Sequence, residues 1–190
     1  MHSDTFISML GASAFTHNDD ISTAAELFIS ESLKLIILTV RSPIFNESFE
    51  SFANEIVGFV KSEGISELII LSSTHSYEQH LVDKNPYEYV KNKKMTSGSL
   101  SLFSETSSAL EKKIPGSGVA LTLFDKATEN DVAAIILYKY TSEGDNRSDA
   151  FEMLKKVNEF LNKPIPENDQ IREPISWKFL FGCNVNPELY

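Results

Sequence analysis

The sequence predicts an α/β protein, a three-layer αβα sandwich built on a largely parallel sheet, and three observations predict it. Three short apolar runs, Leu35–Val40, Leu68–Leu71 and Ala133–Tyr138, show almost no polar alternation, as expected of strands covered on both faces. Between the first two runs, Phe49, Phe52, Ala53, Ile56, Val57 and Val60 recur at helical spacing and form one continuous stripe. After the third run, Ala150, Met153, Leu154, Val157 and Leu161 repeat that spacing.

Taken in order, the weaker run Glu26–Ser30 precedes the first strong one, and the turn-like Glu31-Ser32 would join the two as a hairpin. The first helix is expected from Asn46 to Glu63. Asn46 would cap its start, and Gly64 stands where a left-handed residue ends a helix. Strand, helix and strand with short joints predict a βαβ unit, right-handed in almost every known case. Residues 84–108 are polar, serine-rich and weakly periodic, and read as a long excursion without assigned local structure. A further helix is expected from Ser117 to Ala127. The last helix would be capped by Asn146 or Asp145 and stopped by Pro164. The chain shows no internal repeat, and a single α/β domain over residues 1–190 is expected, with 184–190 as a projecting C-terminal tail.

Composition narrows the function classes. With 42% hydrophobic and 23% charged residues, the 190-residue chain has the balance of a globular protein with a core of its own. A net charge of −10 repels phosphate backbones, so no nucleic-acid partner is expected. The short basic run Lys91-Asn-Lys-Lys94 reads as a solvated loop face. Cys183 is the only cysteine, which excludes an intramolecular disulfide and a cysteine-built zinc site. No apolar run approaches the roughly 18–20 residues that span a bilayer. The first residues do not resemble a signal peptide. The expected setting is reducing, cytoplasmic and nuclear, with no membrane partner.

Chemistry is sketched at one place. Leu71-Ser-Ser-Thr-His-Ser-Tyr77 leaves the second apolar run, and ligands of open α/β sheets favour the crevice beyond such strand ends. His75 beside Ser72, Ser73 and Ser76, with Asp145 beyond the third run, would outline a small hydrolase or nucleotide-handling enzyme. Against it, no Gly-x-Ser-x-Gly elbow is present, and serine and threonine are ordinary turn residues. Gly116-Ser-Gly118 matches neither the dinucleotide nor the Walker pattern and reads as a tight loop entering a helix. His75 and His80 are five apart, which fits no common helical pair of metal ligands. No catalytic, cofactor or metal site is therefore expected.

The C-terminus carries the most distinctive residues. Trp177, Phe179 and Phe181 alternate, as a packed edge strand or an exposed one would. Beyond them a tail stiffened by Pro187 ends on Glu188, Leu189 and Tyr190, an apolar pair beside a free carboxylate. A frayed terminus is ordinarily small and polar; this one is suited to a pocket on a partner. Seven residues reach at most about 23–25 Å.

Three segments, in this order, carry a resemblance: Ile70-Leu-Ser-Ser-Thr-His-Ser-Tyr77, Tyr140-Thr-Ser-Glu-Gly-Asp-Asn-Arg-Ser-Asp-Ala150 and Pro174-Ile-Ser-Trp-Lys-Phe-Leu-Phe-Gly182. Together they resemble the proteasome assembly chaperone 2 family, from about Leu27 to Tyr190. The resemblance implies a non-enzymatic αβα subunit, without cofactor, that pairs with proteasome assembly chaperone 1. The pair would bind proteasome α-type subunits and promote closure of the α-ring. It implies that Glu188, Leu189, Tyr190 and the terminal carboxylate enter a pocket between α subunits. The chain departs from the family in two ways. Leu189 rather than a tyrosine is penultimate, unlike the tail motif of proteasome activators. The family's additional N-terminal strand and helix are also not found here. Lack of a central strand would leave a sheet edge unpaired.

Overall fold

A computed structural model describes residues 5–7, 10–12, 21–79, 85–96, 98–106, 114–162, 173–174 and 177. The chain divides into two compact units, one of residues 1–5 and 44–164, the other of residues 6–43 and 165–190.

The second unit contains two antiparallel pairs. Strands β1 (Leu10–Ala12) and β2 (Ile21–Thr23) form one, and β3 (Ala25–Ser30) and β4 (Leu35–Val40) form the other. The expected hairpin is present. Its turn closes through the Lys34 N–H to the Glu31 carbonyl at 3.2 Å, with Lys34 at φ 50°. The register sets Leu27 opposite Leu38 and Ile29 opposite Ile36, so Ala25, Leu27, Ile29, Ile36, Leu38 and Val40 share one wholly apolar face. The expectation of a covered strand at Leu35–Val40 is corrected: Ile36, Ile37 and Val40 are exposed.

The first unit holds a four-stranded sheet in the order β5-β8-β6-β7, with β5 Glu67–His75, β6 Tyr87–Lys91, β7 Ser104–Glu105 and β8 Ala133–Thr141. Two of its three pairings, β5 with β8 and β6 with β7, are parallel. The expected βαβ unit is corrected as well. Among the described residues β4 pairs with β3 and β5 with β8, so the strands on either side of the first helix belong to different sheets. The pair β5 and β8 is parallel and is the one joined by a long crossover.

Helix α1 (Phe49–Ser62) buries Phe52, Ala53, Ile56, Val57 and Val60 of the predicted stripe, while Phe49 at its start is half-buried. Asn46 opens a short 3-10 turn instead of capping the helix, whose N-cap is Ser48, without a side-chain cap bond. Gly64 has the expected left-handed φ of 63°. The amides of Gly64 and Ile65 return to the carbonyls of Lys61 and Val60, which closes the helix end. Helix α2 (Ala120–Glu129) starts three residues later than expected and packs on α1, β5 and β8. Helix α3 (Arg147–Phe160) lies against the other face. There Ile135 and Leu137 of β8 join Tyr87, Tyr89, Met95, Phe103, Val157 and Phe160 in one buried cluster.

The excursion at 84–108 contains two strands, β6 and β7, that its polar, weakly periodic sequence does not announce. Strand β6 was obscured by Glu88 between two tyrosines, yet Glu88 is only 2% exposed. The Tyr138 hydroxyl donates to the Glu88 carboxylate at 2.5 Å, and Thr106 Oγ1 lies 2.7 Å from the same hydroxyl. Burial, followed by the Glu88 hydrogen bond, pushes the Tyr138 pKa far above the ordinary tyrosine value. An acid tolerated at a strand centre therefore depends on a partner contributed by the neighbouring strand.

Candidate functional site

Parallel neighbours β5 and β8 end side by side, and a cleft of about 200 Å³ opens beyond them. Ser73, Thr74, His75, Gly116, Thr141 and Ser142 line much of it. The loop before α2 is fastened to β5 by side chains: Thr74 Oγ1 donates to the Pro115 carbonyl at 2.8 Å, and Ser72 Oγ to that of Ser117 at 3.5 Å. Gly116, at φ 78°, is needed twice. Its backbone is left-handed, and a Cβ there would stand 2.9 Å from His75 Nε2. The segments after the strands are joined by Ser142 Oγ donating to Ser76 Oγ at 3.3 Å.

The predicted serine, histidine and aspartate do not form a relay. The His75 ring stacks on Tyr77 with centroids 4.9 Å apart. Among the described residues, no hydrogen bond joins His75 to a serine hydroxyl or a carboxylate. Asp145 is held by Arg147, whose guanidinium donates to its two oxygens at 2.8 and 2.6 Å and whose backbone N–H donates at 3.2 Å. The Arg147 side chain first, and its backbone N–H second, lower the Asp145 pKa to about 2. Asp145 thus ties down the start of α3, the bland role that its position also suggested. Nucleophilic catalysis needs a base within hydrogen-bond reach of the nucleophile and an acid that orients the base; this arrangement supplies neither contact. Ser72 and Thr74 act as loop fasteners.

Gly116-Ser-Gly118 is a tight loop entering α2, with turns closed by the Ser117 amide on Ile114 and the Ala120 amide on Ser117. Among the described residues no group of three histidine, cysteine or acidic side chains is arranged to hold a metal. No helix among them is long and apolar enough to cross a membrane. Trp177 donates its amide to the Pro174 carbonyl at 2.9 Å. Phe179, Phe181 and the tail residues Glu188, Leu189 and Tyr190 lie outside the described residues.

A charged cluster missed in the sequence fastens α3 to the sheet. Lys139 of β8 is buried, and its ammonium donates to Asp149 and Glu152 at 2.6 Å each. Tyr87, opposite Lys139 in the ladder, donates its hydroxyl to Glu152 at 2.7 Å. Burial works against the charged lysine, but its hydrogen bonds to Asp149 and Glu152 more than offset it and hold its pKa above the ordinary value. A signal was present: Lys139 interrupts an apolar run, while Asp149 and Glu152 are i, i+3 on the next helix.

Comparison with known proteins adds what the cleft does not. A family model described as the PAC2 family matches residues 1–174. Proteasome assembly chaperone 2 of Danio rerio is 29% identical over 213 residues, covering 100% of this chain and 82% of that protein. Its Homo sapiens counterpart is 27% identical over 217 residues with the same coverage. Among solved structures, a Thermoplasma acidophilum protein of unknown function matches with a TM-score of 0.60 at 11% identity, over 85% of this chain and 68% of that one. Pyrococcus furiosus PbaA, an archaeal homolog of proteasome-assembly chaperone, matches with a TM-score of 0.52 at 16% identity, over 77% and 60%. At such identities the two structures establish likeness of fold.

Proposed function

The chain belongs to the PAC2 family, and from that premise we propose that it is a chaperone for assembly of the 20S proteasome core. It binds α-type subunits as a heterodimer with a proteasome assembly chaperone 1-like subunit, in cytoplasm and nucleus, and catalyses no reaction. The observation that carries this reading is the match to relatives named proteasome assembly chaperone 2 across the whole of this chain. The site geometry agrees with it, since Asp145 is committed to Arg147 and His75 to Tyr77. The binding group is the C-terminal Glu188-Leu189-Tyr190, whose apolar pair contributes a few kcal/mol of gross burial, roughly 1.5–3 kcal/mol for a fully buried leucine, before ordering costs.

The test is affinity purification of the tagged chain with identification of co-purifying subunits. Proteasome α-type subunits and the chaperone 1-like subunit are expected, and their absence overturns the reading. Deleting Glu188–Tyr190 tests the tail separately. Recovery of α-type subunits should fall by about tenfold or more, equivalent to about 1.4 kcal/mol, while the melting temperature stays unchanged. Equal recovery after the deletion removes the tail from the contact.

A further inference from the structure

Every residue that lines the cleft beyond β5 and β8 is polar or a glycine, and the polar groups fall into two sets. One set is paired within the chain. Thr74 is buried with its hydroxyl on the Pro115 carbonyl at 2.8 Å, and the Thr141 hydroxyl donates to the Thr74 carbonyl at 3.4 Å. Ser142 Oγ donates to Ser76 Oγ at 3.3 Å, which ties the segments after the two strands together. The other set is Ser73, Glu143 and Asn146, all exposed. Among the described residues the Ser73 hydroxyl, the Glu143 carboxylate and the Asn146 carboxamide have no hydrogen-bond or ion-pair partner. Asn146 is the N-cap of α3, yet its side chain makes no cap bond. His75 keeps its stack on Tyr77 and serves as wall.

Size and charge restrict what such a recess accepts. Its volume of about 200 Å³ is below the roughly 300–1,000 Å³ of a pocket for a drug-sized ligand or a nucleotide, and suits one side chain. No lysine or arginine lines it, so a phosphate or carboxylate would find no counter-charge there. Glu143 is the one acid among the lining residues, on a chain of net charge −10. Carboxylate, carboxamide oxygen and hydroxyl can all accept hydrogen bonds. A cation whose donors are spread over a plane can reach several such acceptors together. A guanidinium presents its N–H groups in that way, whereas the donors of an ammonium radiate from one point.

We infer that the cleft receives the guanidinium of an arginine side chain presented by a protein partner. Glu143 pairs with it through charge-assisted hydrogen bonds, and Asn146 Oδ1 and Ser73 Oγ accept from its remaining N–H groups. The paired hydroxyls of Thr74, Thr141 and Ser142 fix the surrounding segments in advance, so little ordering is left to the moment of binding. One contact of this kind is weak alone and serves as a single anchor within a larger interface. The inference rests on the cleft and is independent of the chaperone role.

The experiment titrates the isotope-labelled full-length chain with the peptide acetyl-Gly-Arg-Gly-amide while backbone amide chemical shifts are followed. Saturable shifts confined to residues 73–75, 116 and 141–146 are expected, with a Kd on the order of 1 mM. The same peptide with lysine should bind more weakly, because it offers a point charge in place of a fork. With citrulline, equal in shape but uncharged, it should leave these amides unmoved, and so should inorganic phosphate at the same concentration. Glu143→Gln should weaken the arginine peptide by about tenfold, with an unchanged melting temperature because the residue is exposed. Should that variant fail to fold, the citrulline comparison on the unchanged chain still decides. Shifts that are absent or spread over the whole chain, equal binding of the citrulline peptide, or unchanged affinity in a folded Glu143→Gln variant would each overturn the inference. Larger shifts at the cleft with phosphate than with the arginine peptide would make it an anion site and likewise overturn it.

Discussion

At the residue scale, two positions bear more than their chemistry suggests. Gly98 has φ 88°, and a Cβ there would stand 2.1 Å from the ring of Phe160, which is itself buried in the α3 cluster. Gly98→Ala therefore combines a left-handed backbone penalty with overpacking, and a loss of about 2–4 kcal/mol is expected. The urea midpoint measures it, and an unchanged midpoint would show that the loop swings clear at no cost. Tyr138→Phe removes a short hydrogen bond to the buried Glu88 carboxylate. A loss of about 1–3 kcal/mol is expected, the range for a hydrogen bond to a buried charged group. Substituting Glu88→Gln in the Tyr138→Phe background should recover part of it, since a neutral amide costs less to bury than a carboxylate.

At the scale of elements, the attachment of α3 rests on both packing and charge. Lys139→Met keeps the apolar stem but loses both charge-assisted bonds, and a cost of about 1.5–3 kcal/mol is expected in chemical denaturation. The pH dependence has a definite sign. The Glu152 pKa is lowered, first by the Lys139 hydrogen bond and then by that of Tyr87. Its contribution is present above the unfolded glutamate value of about 4.3 and is lost as pH falls through the lower folded value. The Lys139 pKa is raised, so its contribution is present below about 10.4 and is lost as pH rises through the higher folded value. Glu152→Gln should therefore lose less stability than the unchanged chain on acidification below about pH 4, with near-parallel behaviour at neutral pH. Equal acid limbs would remove Glu152 from that role. Hydrogen exchange should rank the strands. Amides of β8, flanked on both sides by β5 and β6, exchange slowest, and those of the two-stranded β3–β4 hairpin fastest, because an isolated pair is marginal.

At the scale of the whole molecule, a chain that pairs as proposed should gain stability from its partner. Mixing with the chaperone 1-like subunit is expected to raise the melting temperature with partner concentration. A free partner concentration of about a hundred times Kd corresponds to about 2.7 kcal/mol. A transition that ignores the partner would argue against the pairing. Surface charge sets a further condition. At −10, the chain should associate faster with positively charged surfaces, and that advantage should shrink as salt rises.

By itself the sequence determined whatever is local. The apolar stripe of α1, its closure at Gly64, the runs that became β4, β5 and β8, and the hairpin of β3 with β4 all follow from spacing and turn chemistry within a few residues. The ordered motifs around Ser72–Tyr77, Thr141–Asn146 and Trp177 pointed to the family by the same kind of information. Tertiary structure alone decided pairing and proximity. Placement of β4 and β5 in different sheets and of the polar Tyr87-Glu88-Tyr89 segment beside β8 both depend on which distant strands meet. Hydrogen-bonded ladders and buried carboxylates are satisfied by partners dozens of residues away, as Glu88 is by Tyr138. Periodicity along one segment carries no record of that partner.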